Sequence, residues 1–499
     1  MKKILIANRG EIAIRIAKTA KRMGIKTVGI KGNIEPTALY LSYVDEIYDN
    51  SEKITSIPVF LDVDRLIEIA KETGSEAIHP GYGFLSENPY FAQKCANNNI
   101  IFIGPSPDAI YKMGNKTIAR RIAHQNSIPM VDGSKGAVGF VEEANRVVSR
   151  IGLPIIIKAA SGGGGRGMRI VRDLQDLEKS FQIASNEALK AFNDPTVFIE
   201  KYIENPKHIE FQILGDTFGN IVHLGERECS IQRKNQKLLE EAPSSAVDNE
   251  LRERMSAVAI KIAKAVNYYS VGTVEFLLDS NKNFYFMEMN TRIQVEHPVT
   301  EAITGINLIE QQINVADGKA IPFKQEDITL KGAAIECRIN SEDVQNGFIP
   351  STGRIENLVF PTDENIRVDS GIKEGSTIST GFDSMIAKLI VKGPTRDETI
   401  KKCLEVLDDV CITGVKTTIP FFKVLLNNEN FLSGNFTTSF VEKDLDKYFL
   451  SSETDEIIAA WLATKSFYEE NLSDNDVNFD QGKELSPWLQ NRRSKQFDF

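Results

Sequence analysis

Between Phe284 and Glu296 the chain reads F-Y-F-M-E-M-N-T-R-I-Q-V-E. From Glu288 a polar or charged residue falls at every second position: Glu288, Asn290, Arg292, Gln294 and Glu296, with Met289, Ile293 and Val295 among the residues between. Side chains alternate along a strand, so this pattern predicts five polar groups on one side. Just upstream lie G-T-V-E-F-L-L-D and the turn D-S-N-K-N, which predict a hairpin centred on Asn281–Lys282 with Glu275 facing Glu288. Two carboxylates about 5 Å apart repel by roughly 3 kcal/mol at an effective dielectric near 20. A divalent cation or a bound proton must offset this. Two carboxylates and the amide oxygen of Asn290 suit Mg²⁺, which takes its other ligands from water and phosphates. The alternative is a solvated edge with unpaired acids, and a turn one residue longer or shorter would break the pairing. Eight steps of about 3.3 Å span about 26 Å, too far for one ligand site. The chain is therefore expected to bend after Asn290. That leaves Arg292 as a fork for a carboxylate-shaped anion and Glu296 as a base.

The rest of the pattern alternates strand and helix. Residues 2–7 form an apolar strand, Ile12, Ile16, Ala20 and Met23 recur at helical spacing, and Thr27–Ile30 follows as a strand, a βαβ opening. Its loop, N-R-G-E, lacks the G-x-G-x-x-G dinucleotide fingerprint. The alternation continues through residues 66–71, 76–79 and 100–103, with H-P-G-Y-G-F-L-S-E-N between. Loops at the carboxyl ends of parallel strands commonly bind ligands, although composition alone also fits a surface turn. One helix is predicted from about Pro107 to Asn126; it carries Lys116, which taken alone reads as a solvated residue. Next comes I-I-I-K-A-A-S-G-G-G-G-R-G-M-R-I-V. Gly162, Gly164 and Gly167 match G-x-G-x-x-G, but a β run follows instead of a helix, and the G-K-[ST] ending of a phosphate loop is missing. The segment reads as two strands joined by a glycine flap whose bare N–H groups close over phosphates, with Lys158 supplying charge.

Residues 197–203 form a strand interrupted by Glu200, which suits either a purine edge, with backbone groups from Lys201 and Ile203, or a strand running into solvent. His208 and Glu210 lie on the next strand. Arg227, Gln232, Arg233, Lys234 and Lys237 cluster in a short span, either a solvated face or a polyanion site. Arg338 sits among apolar strand residues and must be paired with an acid or used on a ligand. A helix is predicted near 396–409. From about 448 the character changes: Ile457, Ile458, Trp461 and Leu462 make an amphipathic helix, followed by a polar run and Trp488. This tail reads as a helix docked on its own domain or as a partner contact.

A chain of 499 residues is expected to hold about three domains. Its net charge of -10 argues against nucleic acid as the main partner. No apolar run suits a signal peptide or a membrane span, so the expected location is cytoplasmic. The five cysteines and five histidines are scattered, which gives neither a disulfide framework nor a zinc site.

Four segments in order, K-I-L-I-A-N-R-G-E-I-A-I-R, H-P-G-Y-G-F-L-S-E-N, K-A-A-S-G-G-G-G-R-G-M and E-M-N-T-R-I-Q-V-E-H-P-V-T-E, resemble biotin carboxylase, an ATP-grasp ligase. The resemblance covers roughly residues 1–447. It implies an α/β and α+β protein with a Rossmann-like pre-ATP-grasp domain (1–114), an ATP-grasp domain (115–330, flap 155–171), a β-rich C-terminal domain (331–447) and the tail (448–499). It also implies that ATP phosphorylates bicarbonate to carboxyphosphate and that the released CO₂ joins the N1′ nitrogen of biotin. Carried over residue by residue, Lys116, Lys158, Gly164 and Gly165 bind phosphates. Glu200, Lys201, Ile203 and His208 contact adenine and ribose, and Gln232, Asn235 and Leu277 complete the nucleotide site together with Glu275 and Glu288. Glu275, Glu288 and Asn290 hold Mg²⁺ or Mn²⁺. Lys237, Arg292, Gln294 and Val295 (by its backbone) bind bicarbonate, Glu296 deprotonates it, and Arg338 stabilises the enolate of biotin. Asn235 stands where many members have histidine in R-R-H-Q-K, similar to the propionyl-CoA carboxylase version, and asparagine cannot carry a positive charge. No A-M-K-M-like biotinylation site occurs, so the resemblance implies a separate biotin carboxyl carrier protein, carboxyltransferase subunits and a homodimer.

Two other readings stand beside this one. Another ATP-grasp ligase with a different acceptor, such as a carbamoyl-phosphate-forming enzyme, would turn over without biotin. A silent nucleotide-binding scaffold would bind ATP without turnover.

Overall fold

The computed structural model describes residues 1–32, 34–35, 37–52, 57–159 and 168–445. The flap glycines Gly164 and Gly165 and the tail from residue 448 lie outside the described residues.

The opening alternation forms a five-stranded parallel sheet in the order Glu46–Asp49, Lys26–Lys31, Lys3–Ile6, Ala77–His79, Ile101–Phe102. Its first helix, Gly10–Arg22, buries Ile12, Ile16 and Ala20, the positions with helical spacing. The N-R-G loop serves the neighbouring loop instead of a dinucleotide: the Asn8 amide donates to the carbonyls of Pro80 and Tyr82, each at 2.7 Å. Gly81 fits there for a steric reason. Its φ is +63°, and a Cβ would lie 2.9 Å from the Asn8 amide nitrogen.

The expected helix 107–126 is two helices, Pro107–Gly114 and Lys116–Gln125. Asn115 leaves helical geometry (φ -90°, ψ 106°) and its side chain accepts from the Ile118 N–H, capping the second helix. Lys116 thus becomes the first residue of a new helix instead of a mid-helix surface residue.

The glycine-rich region follows its predicted two-strand form. Ile155–Ala159 pairs antiparallel with Arg169–Val171 on one side and Val197–Lys201 on the other. Helices Val141–Ile151 and Leu177–Phe192 pack their apolar residues on this small sheet.

The largest element is an eight-stranded antiparallel sheet in the order Phe284–Asn290, Ser270–Leu278, Lys207–Gly215, Ile221–Arg233, Gln236–Ala242, Ala333–Asn340, Met385–Gly393, Ile366–Ser370. It continues across residues 330–331, because Leu239 pairs with Cys337 and Ala242 with Ala334. The aromatic residues of its first strands lock one end: Phe276 packs edge-to-face on Phe211, Phe284 and Phe286 with centroids 6.2, 5.6 and 6.5 Å apart. Among the described residues no helix is long and apolar enough to cross a membrane.

Phe276 is fully buried at the centre of this cluster. Phe276→Ala should therefore cost about 3–5 kcal/mol, seen as a lower denaturant midpoint for loss of tertiary fluorescence.

Candidate active site

The hairpin that carries the candidate metal acids forms, by a different turn from the one expected. Leu278 pairs with Phe284 and Phe276 with Phe286, so the loop is Ser280–Asn281–Lys282, centred on Asn281, with Lys282 at φ 61°. A regular ladder from that turn would set Glu275 opposite Met287. Instead the register shifts after Phe276, Met287 is the extra residue of a bulge, and Glu275 pairs with Glu288. The strand ends at Asn290, where the chain bends away.

Glu275 is the hub of this end. One of its oxygens accepts from the Asn290 amide at 2.7 Å and the Gln294 amide at 3.1 Å, and lies 3.3 Å from the Lys237 ammonium; the other lies 3.0 Å from His208 Nε2. Burial alone would raise its pKa, but Lys237 and His208 hold the carboxyl well below the usual range. Glu288 behaves in the opposite way. Its side chain opens to the cleft, and burial of its surroundings together with the Glu275 charge pushes its carboxyl up. The pair is thus one ionised acid facing one whose charge lacks full compensation, a donor set suited to a hard divalent cation. Asn290 adds an amide oxygen, held at 3.0 Å by Arg292.

Beyond the bend a second cluster follows. Glu296, fully buried, meets Lys237 Nζ at 2.6 Å and Arg338 Nη2 at 2.9 Å. Burial would raise its pKa, but Lys237, Arg338 and Arg227 together hold the carboxyl well below the ordinary value. Lys237 also contacts Glu210 at 2.7 Å, and Arg227 supplies the second cation to Glu210 at 2.6 Å. Arg292 spans Glu87 (2.8 Å), Asn290 (3.0 Å) and Gln294 (2.9 Å). The Val295 carbonyl accepts from Lys388 at 2.8 Å, so an anion beside Val295 is left its N–H.

The acid pair, Asn290, Arg292 and the Lys237–Glu296–Arg338 cluster line one cleft of about 1240 Å³. Of the candidate nucleotide residues, Lys116, Lys158, Glu200, His208, Gln232, Asn235, Leu277, Glu275 and Glu288 line it, as do all the candidate bicarbonate and biotin residues. Lys201 and Ile203 are not among the lining residues. Lys201 turns elsewhere, its N–H donating to the Asp132 carbonyl at 2.7 Å and its ammonium to the Leu153 carbonyl at 2.6 Å, while Ile203 lies past the strand end. Glu200 is not a lone acid on a strand: Lys158 lies 2.7 Å from it, and Arg120 makes a second close ion pair. Arg120 gave no signal in sequence, being one helix arginine among several. Glu87 lay inside the quoted H-P-G-Y-G-F-L-S-E-N loop, yet its partners, the Thr291 N–H at 3.0 Å and Arg292, are more than 200 residues away.

Asn235 has a conformational role. Arg233 pairs with Gln236, and the two residues between, Lys234 (φ 49°) and Asn235 (φ 64°), both take left-handed geometry. This is a two-residue hairpin turn of the kind that favours asparagine.

Three family models match in order: biotin carboxylase, N-terminal domain, over residues 1–110; carbamoyl-phosphate synthase L chain, ATP binding domain, over 115–324; and biotin carboxylase C-terminal domain over 336–443. Biotin carboxylase 1 of Bacillus subtilis is 50% identical over 443 residues, covering 89% of this chain and 98% of its own. The chain belongs to the biotin carboxylase family. The 2-oxoglutarate carboxylase small subunit of Hydrogenobacter thermophilus is 47% identical over 442 residues, 89% of this chain and 93% of that one. A crystal structure of the biotin carboxylase domain dimer of the Hydrogenobacter enzyme, in complex with MgADP, ADP and bicarbonate, superposes with a TM-score of 0.86 at 46% identity, covering 90% of this chain and 99% of that one. The biotin carboxylase of Campylobacter jejuni, in a β,γ-ATP complex, gives a TM-score of 0.85 at 45% identity, covering 89% and 98%. The fold is accordingly the ATP-grasp fold of this family.

The carboxylate pair yields a test. Glu288→Gln removes the facing charge, so the metal-free variant should melt about 2 °C above metal-free wild type. Added MgCl₂ should raise the wild-type midpoint and leave the variant where it is.

Proposed function

We propose that this chain carboxylates biotin on a separate biotin carboxyl carrier protein, using ATP and bicarbonate, as the first half-reaction of an acyl-CoA or keto-acid carboxylase. The observation that carries this reading is the run of contacts from Glu275 through Lys237 to Glu296 and Arg338 in one cleft. It supports the reading because Glu275, Lys237, Glu296 and Arg338 touch in sequence, groups chemically suited to a metal, an anion, a proton and a developing oxyanion.

In this reading Lys116, Lys158, Gly164 and Gly165 cradle the phosphates of ATP, with Lys116 at a helix N-terminus whose dipole favours anions. Glu200, Lys201, Ile203, His208, Gln232, Asn235 and Leu277 serve the nucleoside end. The Lys201 N–H is already used within the protein, donating to the Asp132 carbonyl. Glu275, Glu288 and Asn290 would hold Mg²⁺ or Mn²⁺, which when bound neutralises charge developing on the transferring phosphoryl group.

Bicarbonate enters between Lys237, Arg292, Gln294 and the Val295 N–H. In the resting arrangement Glu296 is a weak base because Lys237 and Arg338 hold its charge. Bicarbonate competes for Lys237, and as that contact loosens Glu296 regains basicity and takes the bicarbonate proton. The bicarbonate oxygen attacks the γ-phosphorus, the bond to ADP breaks, and carboxyphosphate forms. It divides into CO₂ and phosphate; the released phosphate takes the N1′ proton of biotin, Arg338 stabilises the negative charge this leaves on the ureido oxygen, and the N1′ nitrogen attacks CO₂.

Residues 1–114, 115–330 and 331–447 are assigned as pre-ATP-grasp, ATP-grasp and C-terminal domains. The working assembly is a cytoplasmic homodimer with carrier and carboxyltransferase subunits. A second reading draws support from the central match to the carbamoyl-phosphate synthase model: an ATP-grasp ligase with another acceptor.

ADP release with Mg²⁺, ATP, bicarbonate and free biotin separates the two. Dependence on bicarbonate with strong stimulation by biotin is expected; release indifferent to biotin would favour the other ligase. Glu296→Gln should leave ATP binding intact while turnover falls about 100-fold or more. Turnover retained in that variant would remove Glu296 as the base.

A further inference from the structure

Behind Arg338 the large sheet carries a second pair of facing acids. Glu240, on Gln236–Ala242, pairs directly with Glu336, on Ala333–Asn340, and both are fully buried. Two register positions on, Arg338 faces Lys388, which in turn faces Asp369. Glu336 and Arg338 are two residues apart on one strand and so share a face.

The cations are unevenly divided over this face. The Arg338 guanidinium lies between Glu296, at 2.9 Å, and Glu240, with which it makes a close ion contact. Lys388 spends its ammonium on Glu11 at 3.0 Å and the Val295 carbonyl at 2.8 Å, with Asp369 at 3.9 Å. Glu336 receives neither. Among the described residues, the buried oxygens of Glu240 and of Glu336 alike lack a hydrogen-bond partner, so the ion contact with Arg338 is what separates the two acids.

Two ionised carboxylates facing each other without water, with one cation at contact, would carry a desolvation and repulsion cost that a proton removes. Lys237 and Glu296 also act on Glu240, and Lys388, Arg338, Glu296 and Tyr82 on Glu336. Burial raises both acids; the Arg338 charge limits the rise of Glu240 to about 7, while Glu336 lies well above its ordinary value.

We propose that the Glu240–Glu336 pair holds a single proton, carried by Glu336, and that the carboxylate of Glu240 positions Arg338 for the biotin half of the reaction. The assignment rests on the biotin carboxylase reading above. Its chemical sense lies in the order of events. When Glu296 takes the bicarbonate proton it becomes neutral and loosens its hold on Arg338, and Glu240 is then the carboxylate still fixing the guanidinium where the ureido oxygen gathers charge.

The test uses the full-length chain with MgATP and bicarbonate, with and without free biotin. In Glu240→Gln, biotin-stimulated ADP release should fall about 100-fold, the scale of a misplaced catalytic group. Its biotin-independent release and its KM for ATP should stay unchanged, a split that general destabilisation does not produce. Glu336→Gln exchanges one neutral group for another and should keep the wild-type biotin response. Equal losses in the two variants, or full biotin stimulation in Glu240→Gln, would overturn the proposal. Infrared spectroscopy supplies an arm free of activity: the wild-type minus Glu336→Gln difference spectrum at neutral pH should show the loss of one protonated-carboxyl stretch, and a difference spectrum without that loss would sink the proton assignment even if Glu240→Gln fails to fold. A wild type without biotin stimulation would instead remove the functional reading, leaving the infrared result standing by itself.

Discussion

Carboxylates taken out of water persist as charges only where cations meet them, and at the centre of this protein much of that duty falls on one ammonium group. Lys237 lies within 3.3 Å of Glu210, Glu275 and Glu296 at once. Replacing it with an apolar residue would leave buried acids underpaired, which costs several kcal/mol per broken pair. The resting cluster is therefore already neutralised, and an anion bound at Lys237 would enter by exchange, displacing a carboxylate from the ammonium. In the proposed reaction such exchange would also raise the basicity of Glu296, since Lys237, one of the groups that depress it, is a group bicarbonate would take.

Strand register delivers these side chains to one place. Glu210 faces Glu275 on one side and Arg227 on the other, because Lys207–Gly215 lies between Ser270–Leu278 and Ile221–Arg233. The tight turn at Lys234–Asn235 then returns the chain so that Lys237 pairs with Gln232 and aims at the same face. A one-residue slip would turn each group to the opposite face, so the turn and the Met287 bulge are as much part of the site as the charged residues.

Much of the site could be read from sequence because it lies within short segments of fixed period. The Glu275–Glu288 opposition followed from two strands and a turn, and the bend after Asn290 followed from length. The turn holds three residues where the pattern suggests one centred on Asn281–Lys282, and the bulge that restores the pairing leaves no mark in composition. Local pattern alone gives one helix over 107–126, because only the capping bond of Asn115 distinguishes it from a helix-interior residue. Arg120, Glu87, Glu240 and Lys388 escaped notice for a different reason: each acts on residues far away in sequence, and nothing local separates them from ordinary surface or strand charges. At Lys201 the local pattern does not show that its N–H is already taken by the carbonyl of Asp132, from another segment.

The long-range contacts also explain why the N-terminal sheet, which lacks a dinucleotide fingerprint, belongs to this site. Glu11 opens the helix after the N-R-G loop and pairs with Lys388 of the last long strand, while Lys388 holds the carbonyl of Val295 next to Glu296. Glu87, from the loop that Asn8 helps to tie down, grips Arg292 and the Thr291 N–H. Two acids of the first sheet region therefore fix both ends of the Thr291–Glu296 segment, and a lysine of the last region closes the circuit. Residues Met1–Phe449 form one compact unit accordingly. The position of Arg292 and the balance of charge on Lys388 thus both depend on acids of the N-terminal sheet region.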